Sequence, residues 1–302
     1  MKYVTLNTDY KMPVIGLGTW KSAEEKIYQA VRWAIKAGYQ HVDCAAVYGN
    51  EETVGQALHD AVAEGDIERK NLFVTSKLWN TAHKPADVRP ALEQSLKDLQ
   101  TDYLDLYLIH WPIAEDPLSG EALDIPQEET WAEMEKAQKD GLVRSIGVSN
   151  FTQTKLKDLM DKAEIMPAVN QVEIHPYLAQ NDLVEFCREN QIVVTAYAPL
   201  GSGDRPDTMK EAGEPSLLAD QVVADIAKKN SATPAQVLIA WGLTRGLVEI
   251  PKSVQFDRIE ENLGALNVTL DDDDMKRLNA IDETFRFVTG KNLTGADHVF
   301  DD

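Results

Sequence analysis

Apolar positions along this chain alternate between two periods. Short β-branched and apolar runs lie near Val14–Gly18, His41–Asp43, Leu72–Lys77, Leu104–His110, Ser145–Ser149, Ala168–Glu173, Ile192–Tyr197 and Val248–Ile250, and they read as strands. Between them the spacing lengthens to that of a helix. Ile27, Ala30, Val31, Ala34 and Ile35 share one face, with Ser22 and Glu25 spaced as a capping box before them and Gly38 as the stop behind. Val88, Leu92, Leu96 and Leu99 repeat the facing. Thr233-Pro234 opens a later helix with proline at its first position. Thr269 is the expected cap of a C-terminal helix whose first turn carries Asp271 to Asp274, acids that suit the positive helix end. Strand–helix alternation of this kind, repeated about eight times, predicts a parallel sheet closed into a barrel. Tyr3–Leu6 and Met12–Ile15 flank the turn-rich Asn7-Thr8-Asp9 and predict a hairpin that closes the barrel floor. The long gap from Tyr197 to Val248 begins with Gly201-Ser202-Gly203-Asp204-Arg205-Pro206, which reads as a mobile loop. The segment Gly290–Asp302 reads as irregular.

Length and composition fit this picture. Barrels of about 300 residues form one domain, so residues 1–302 are read as a single catalytic unit. No apolar run approaches the roughly 18 residues of a membrane span, and the N-terminus lacks the features of a secretory signal. Cys44 and Cys187 make no disulfide framework, which favours a reduced, cytoplasmic setting. The formal charge of −20 opposes nonspecific binding to nucleic acid or anionic membranes and suits a solvated surface.

Chemistry enters at the strand ends. Asp43 and Tyr48 follow the second strand, Lys77 ends the third and His110 ends the fourth. In a parallel barrel these ends converge on the face that carries the active site. A free phenol has a pKa near 10, and a neighbouring ammonium favours the phenolate. Lys77 can supply that charge, Asp43 can keep it protonated, and His110 can orient a carbonyl oxygen. Tyr48 then serves as general acid for a carbonyl that receives a hydride. Any one of these residues alone would be ordinary packing or surface; their shared position at one mouth is the signal.

Other barrel chemistries fit less well. There is no His-x-His pair and no HExxH, and His41, His59, His83, His175 and His298 share no ligand spacing, so no metal is expected. The seventh strand ends in Tyr197 rather than a carboxylate, which argues against a glycosidase. Glu173 reads as structural. No side chain donates a hydride, so a redox cofactor is required. Gly16-Leu17-Gly18-Thr19-Trp20-Lys21 fails the Rossmann fingerprint at its third glycine. Lys252 and Ser253 after the last strand, with Arg258 near the start of a helix at about Asp257, form a candidate phosphate site.

As an ordered set, these motifs resemble the aldo-keto reductases, in the branch of aldose and aldehyde reductases. They are Gly16–Trp20, Asp43 with Tyr48-Gly49-Asn50-Glu51, Leu104–Pro112, Gly147-Val148-Ser149-Asn150-Phe151 and Ile250-Pro251-Lys252-Ser253. The resemblance covers nearly the whole chain. It implies a TIM-type barrel that binds NADP(H) in extended form, with Tyr48, Asp43, Lys77 and His110 in the roles just argued. By position it implies Ser149, Asn150 and Gln171 at the nicotinamide carboxamide and Tyr197 stacked on the ring. Leu200 and Ser202 would line the pyrophosphate. Lys252, Ser253 and Arg258 would hold the 2′-phosphate, and Glu261 and Asn262 the adenine. Asp204 and Lys252 would form a belt over the cofactor, with Gly18, Thr19, Trp20 and Asp43 also at its site. Gln40, Gly203 and Gln255-Phe256 depart from the family pattern. Gly203 should loosen the belt, and Gln255-Phe256 weakens the case for strict NADP preference.

Trp20, Trp79 and Trp111, with Val47, would wall an apolar substrate pocket around Tyr48 and His110. Loop Ile113–Glu128 and the tail after Asp282 would set specificity, and no cation for a substrate carboxylate stands out. The expected protein is a monomeric NADPH-dependent aldehyde reductase acting on small aldehydes or ketones. A cofactor-binding regulatory subunit and a redox-neutral barrel isomerase are the other readings considered.

Overall fold

The computed structural model describes residues 1–281, 285–290, 293 and 299–301. Most of the Gly290–Asp302 segment, His298 included, and Asp282 at the start of the expected specificity tail lie outside the described residues. The chain opens with β1 (Tyr3–Thr5) and β2 (Lys11–Pro13), paired antiparallel. Strands and helices then alternate: β3 (Leu17–Gly18), α1 (Glu24–Ala37), β4 (His41–Asp43), α2 (Glu51–Ala63), β5 (Phe73–Leu78), α3 (Pro85–Asp98) and β6 (Leu104–Ile109). A small hairpin follows, β7 (Ala114–Glu115) with β8 (Ala122–Leu123), within the loop assigned to specificity. Next come α4 (Gln127–Lys139), β9 (Val143–Ser149), α5 (Gln153–Met160), β10 (Val169–Glu173), α6 (Asn181–Glu189) and β11 (Val193–Tyr197). The chain continues through α7 (Gln221–Lys229), α8 (Pro234–Thr244), β12 (Val248–Glu249), α9 (Phe256–Gly264) and α10 (Asp272–Asn279).

Strands β3 to β6 and β9 to β12 form one eight-stranded parallel sheet with neighbours in chain order. Its two ends meet. Ile15 bridges Glu249 in parallel, and the Gly16 and Gly18 amides donate to the Glu249 and Pro251 carbonyls. This arrangement is consistent with a (β/α)8 barrel. The expected first strand at Val14–Gly18 is shortened to Leu17–Gly18, with Ile15 in a separate bridge to Glu249.

Alternation along each strand decides what faces inward. Phe73, Leu106, Leu108, Val169 and Val248 form an inner cluster, joined by Leu6 and Met12 from the hairpin. Val42, Val74, Tyr107, Ile109, Val172, Val194 and Ala196 belong to the larger core shared with the helices. Counting by twos from the inner residues places Asp43, Lys77, His110, Gln171, Glu173 and Tyr197 on the inner side, toward the strands' C-terminal ends. Polar side chains on the outer parity meet helices instead: Ser76 donates to Glu51 of α2, and so does Ser95 of α3, at 2.8 Å.

Two helix caps differ from the expectation. Ser22 and Glu25 form no capping box. The cap of α1 is Ala23, one residue later, whose side chain has no acceptor to offer; the Ser22 carbonyl accepts from the Asn50 amide at 3.2 Å. Thr269 does not cap α10. Asp271 does, accepting the Asp274 amide at 2.9 Å while the Asp274 carboxylate accepts that of Asp271. Lys229 offsets these two acids at 2.7 and 2.8 Å. The helix at Thr233-Pro234 opens with proline in its first turn as expected, with a Thr233–Gln236 capping box in addition, and the left-handed Gly38 cap forms as expected.

Candidate active site

Inward parity and strand length bring Lys77 beneath the loop that follows β4. Its side chain is wholly buried, and its Nζ donates to Asp43 Oδ1 at 2.5 Å, to the Cys44 carbonyl at 2.7 Å and to the Tyr48 hydroxyl at 3.3 Å. An ammonium has three donors, and all three are used. Because Lys77 donates to the Tyr48 oxygen, the phenolic hydrogen is free to point elsewhere. Tyr48 and His110 both line a cavity of about 970 Å³, with ring centroids 5.7 Å apart. Asp43 Oδ2 accepts from Gln171 Nε2 at 2.7 Å, so both oxygens of the buried carboxylate are engaged.

The electrostatics differ from the sequence argument in one respect. Lys77 does pull the Tyr48 pKa downward, but burial outweighs it, and the phenol is pushed up to about 12. Burial also disfavours the charged form of Lys77, yet Asp43 and then Tyr48 more than offset this, and the lysine stays above its ordinary value. Burial, Lys77 and His83 together hold His110 well below the usual imidazole range. At neutral pH the site therefore presents a neutral phenol, a fixed ammonium and a neutral imidazole.

The other residues assigned from the sequence converge on the same cavity; of all of them, Lys77 alone lies behind its wall. Trp79 stands edge-on to His110 at 5.1 Å, Trp111 faces Phe300 at 6.0 Å, and Val47 is exposed at the mouth. Ser149 donates to the Gln171 carbonyl at 2.7 Å. Asn150 donates to the His110 carbonyl at 2.9 Å and accepts from Tyr197 at 2.8 Å. These bonds set a row of amide and hydroxyl groups beside the aromatic face of Tyr197. At the far end lie Lys252, Ser253, Arg258 and Asn262, with the first turn of α9. Gln255 caps that helix with no side-chain acceptor, leaving its first amides for an anion. Glu261 also lines the cavity, with one oxygen accepting the Thr233 hydroxyl at 2.6 Å. The donor set suits an extended dinucleotide carrying a phosphate at its distal end. Phe256, at a position where the sequence departs from the family pattern, packs edge-on against Trp33 at 5.8 Å. Gln40 accepts the Tyr3 hydroxyl of the hairpin.

The belt contact is present: Lys252 donates to Asp204 at 2.8 Å. Sequence reasoning missed its second cation. Lys21 donates to the other Asp204 oxygen at 2.5 Å and to Ser202 at 2.6 Å, and its Nζ sits 4.4 Å from the Trp20 ring centroid. Burial opposes charge on Asp204, but the two lysines outweigh it and hold the carboxyl at about 2. A cation directly after Trp20 was the available signal. Two further features had no sequence signal. Glu173, wholly buried, accepts the Phe287 and Val288 amides at 2.7 and 2.8 Å and contacts His175 at 2.8 Å. Arg286 brings a cation to the cavity, 3.7 Å from the Phe300 ring centroid, where none was anticipated.

Among the described residues no cluster of His, Cys, Asp and Glu could hold a metal ion, and no helix is long and apolar enough to cross a membrane. Residues 14–283 match the model of the aldo/keto reductase family. The chain is 48% identical to the aldo/keto reductase slr0942 of Synechocystis over 299 residues, covering 96% of this chain and 91% of that protein. It is 45% identical to aldo-keto reductase family 1 member A1 of Homo sapiens and of Sus scrofa, covering 94% of this chain and 90% of each relative. A match of this extent, on a parallel-stranded α/β sheet whose strand ends gather Asp43, Tyr48, Lys77 and His110, means that the chain belongs to the aldo/keto reductase family.

Proposed function

We propose that this protein is an NADPH-dependent reductase of aldehydes, aromatic, aliphatic and sugar aldehydes among them, which it converts to primary alcohols with Tyr48 as general acid. The observation that carries this reading is the Asp43–Lys77–Tyr48 chain of 2.5 and 3.3 Å contacts, ending at a phenol that lines the cavity. The bound cofactor would supply the hydride. The protein's own residues do the rest. Trp20, Trp79, Trp111 and Val47 exclude water around the carbonyl. Neutral His110 donates to the carbonyl oxygen and orients it. As negative charge builds on that oxygen, Tyr48 delivers its proton, and Lys77, held in place by Asp43, stabilises the phenolate left behind.

Lys252 and Arg258 would favour the 2′-phosphorylated cofactor, with Ser253 and Asn262 beside them and Asp204 closing the belt. Ser149, Asn150, Gln171 and Tyr197 would seat the reactive ring, and Leu200 and Ser202 the pyrophosphate. We read residues 1–302 as one catalytic barrel with the β1–β2 hairpin as its floor, working as a monomer in a reducing cytoplasm. Cys44 and Cys187, both buried and unpaired, fit such a setting. Tyr48→Phe tests the reading. Turnover of aldehyde should vanish while NADPH affinity, followed by fluorescence quenching, stays within a few-fold. Retained turnover would remove Tyr48 as the acid.

A further inference from the structure

Asp204 and Arg205 are consecutive residues drawn in opposite directions. Asp204 reaches across the groove to Lys21 and Lys252. Arg205 turns inward and is only 2% exposed. Its Nε donates to the Ser202 carbonyl at 3.2 Å, its Nη1 to the carbonyls of Met209 at 3.0 Å and Phe287 at 2.6 Å, and its Nη2 to Glu214 at 2.6 Å. A planar guanidinium makes such a set of bonds in one geometry. The loop read from sequence as mobile thus carries a buried anchor.

That anchor grips the wall of the substrate end. Phe285, Arg286, Phe287 and Val288 line the cavity. On its other side this segment is held by the fold: Glu173, at the end of β10, takes the Phe287 and Val288 amides, and the Tyr177 carbonyl takes the Phe285 amide at 3.0 Å. Gly201 completes the contact. Its φ is +80°, and a Cβ there would lie 3.2 Å from the Phe287 ring and from Leu217. The loop backbone thus runs close against the Phe287 ring, with little room for a side chain between them.

We infer that Arg205 is a positioning residue that couples closure of the cofactor belt to the shape of the substrate wall. With Asp204 engaged, Arg205 holds Phe285–Val288 in place; when the belt opens, the wall loosens. Coupling of this kind needs a contiguous physical path, and the path here is one peptide bond followed by one guanidinium. The inference deepens the reductase reading and rests on it for its functional consequence, though its first test does not depend on a cofactor.

That test is amide hydrogen exchange on the cofactor-free protein. Asp204→Asn removes the belt ion pairs and should speed exchange in segment 201–210. The coupling predicts that the amides of residues 285–288 also speed up, by tenfold or more. Exchange within twofold of wild type at 285–288 would overturn it, whether or not the belt loosens. The second test uses Arg205→Lys, which keeps the charge and loses the fork. Adding NADPH should protect 201–210 in both proteins but 285–288 in wild type alone. The KM for a bulky aromatic aldehyde should rise tenfold or more, against threefold or less for a short aliphatic one. Equal protection in both proteins, or equal KM increases, would leave Arg205 a structural residue only. Failure of NADPH to protect 201–210 in wild type would count against the cofactor assignment instead, and the Asp204→Asn comparison would still decide the coupling.

Discussion

Lys77→Met probes the electrostatics of the site most directly. The ammonium lies 3.3 Å from the Tyr48 oxygen. With an effective dielectric near 20, a full charge on that oxygen would interact with it by about 5 kcal/mol. A transition state with roughly half the proton transferred senses about half of this, near 2.5 kcal/mol, which is on the order of 10² in rate. Methionine keeps the length of the side chain and removes the charge. It also leaves the buried Asp43 with Gln171 as its remaining side-chain partner, and breaking a buried pair in this way costs about 3–5 kcal/mol of stability. Loss of NADPH absorbance with aldehyde measures the rate, urea unfolding the stability, and NADPH fluorescence quenching the affinity. The expected outcome is a folded but less stable protein whose kcat falls about a hundredfold or more, with cofactor affinity within a few-fold. A folded variant with kcat within threefold of wild type would refute the electrostatic argument.

Three other changes read different parts of the structure. Arg258→Ala should weaken NADPH binding by about 2 kcal/mol, roughly 30-fold, because a charge-assisted bond to phosphate is lost; NADH affinity should change by threefold or less, and equal losses in titrations of both cofactors would remove the 2′-phosphate assignment. Gly242→Ala would ordinarily favour a helix by about 1 kcal/mol, but here the new Cβ would lie 1.5 Å from Glu249 Oε1. The clash should win by about 2 kcal/mol or more, lowering Tm, and Glu249→Ala in the same chain should recover the loss. Glu249 itself is wholly buried, and burial raises its carboxyl well above the usual 4.5 while Arg245 only partly compensates. The folded protein keeps a proton that the unfolded chain releases above 4.5, so this group makes wild type less stable as pH rises from there toward the folded pKa. Glu249→Gln should therefore gain on wild type by up to about 1.4 kcal/mol per pH unit across that window; parallel stability curves in urea at pH 5 and pH 8 would contradict the burial argument.

Much of the site was legible because strand parity is local. Lys77 lies an even number of residues beyond the inward Phe73, and His110 beyond the inward Leu106 and Leu108, so both had to face the interior once the strands were recognised. The grouping of Lys252, Ser253 and Arg258 on one cavity was legible for a similar reason, since they fall within a few residues of each other. Glu173 and Arg205 were not. Glu173 meets the Phe287 and Val288 amides and Arg205 the Phe287 carbonyl, each more than eighty residues away in the chain, and backbone groups carry no sequence signature. Nor were the failed caps legible. Ser22 had the right spacing from Glu25, but the helix starts one residue later, with Ala23 at the cap position.

What the sequence left open at Tyr48 has a different origin. The spacing of charged residues showed that an ammonium would approach the phenol, and it does. Spacing cannot show how much water the phenol loses, and that loss is the larger effect, pushing the group up to about 12. The proposed chemistry is compatible with this because the two quantities would act at different moments. A phenol with a pKa of about 12 remains protonated at neutral pH, so the acid form is always present when a carbonyl arrives. The contribution of Lys77 would appear only as the proton leaves and charge develops on the Tyr48 oxygen, in a site already dry enough to make that attraction strong. On the proposed mechanism, burial and the buried cation therefore do not compete for one outcome: burial would keep the acid loaded, and the cation would lower the barrier to its release.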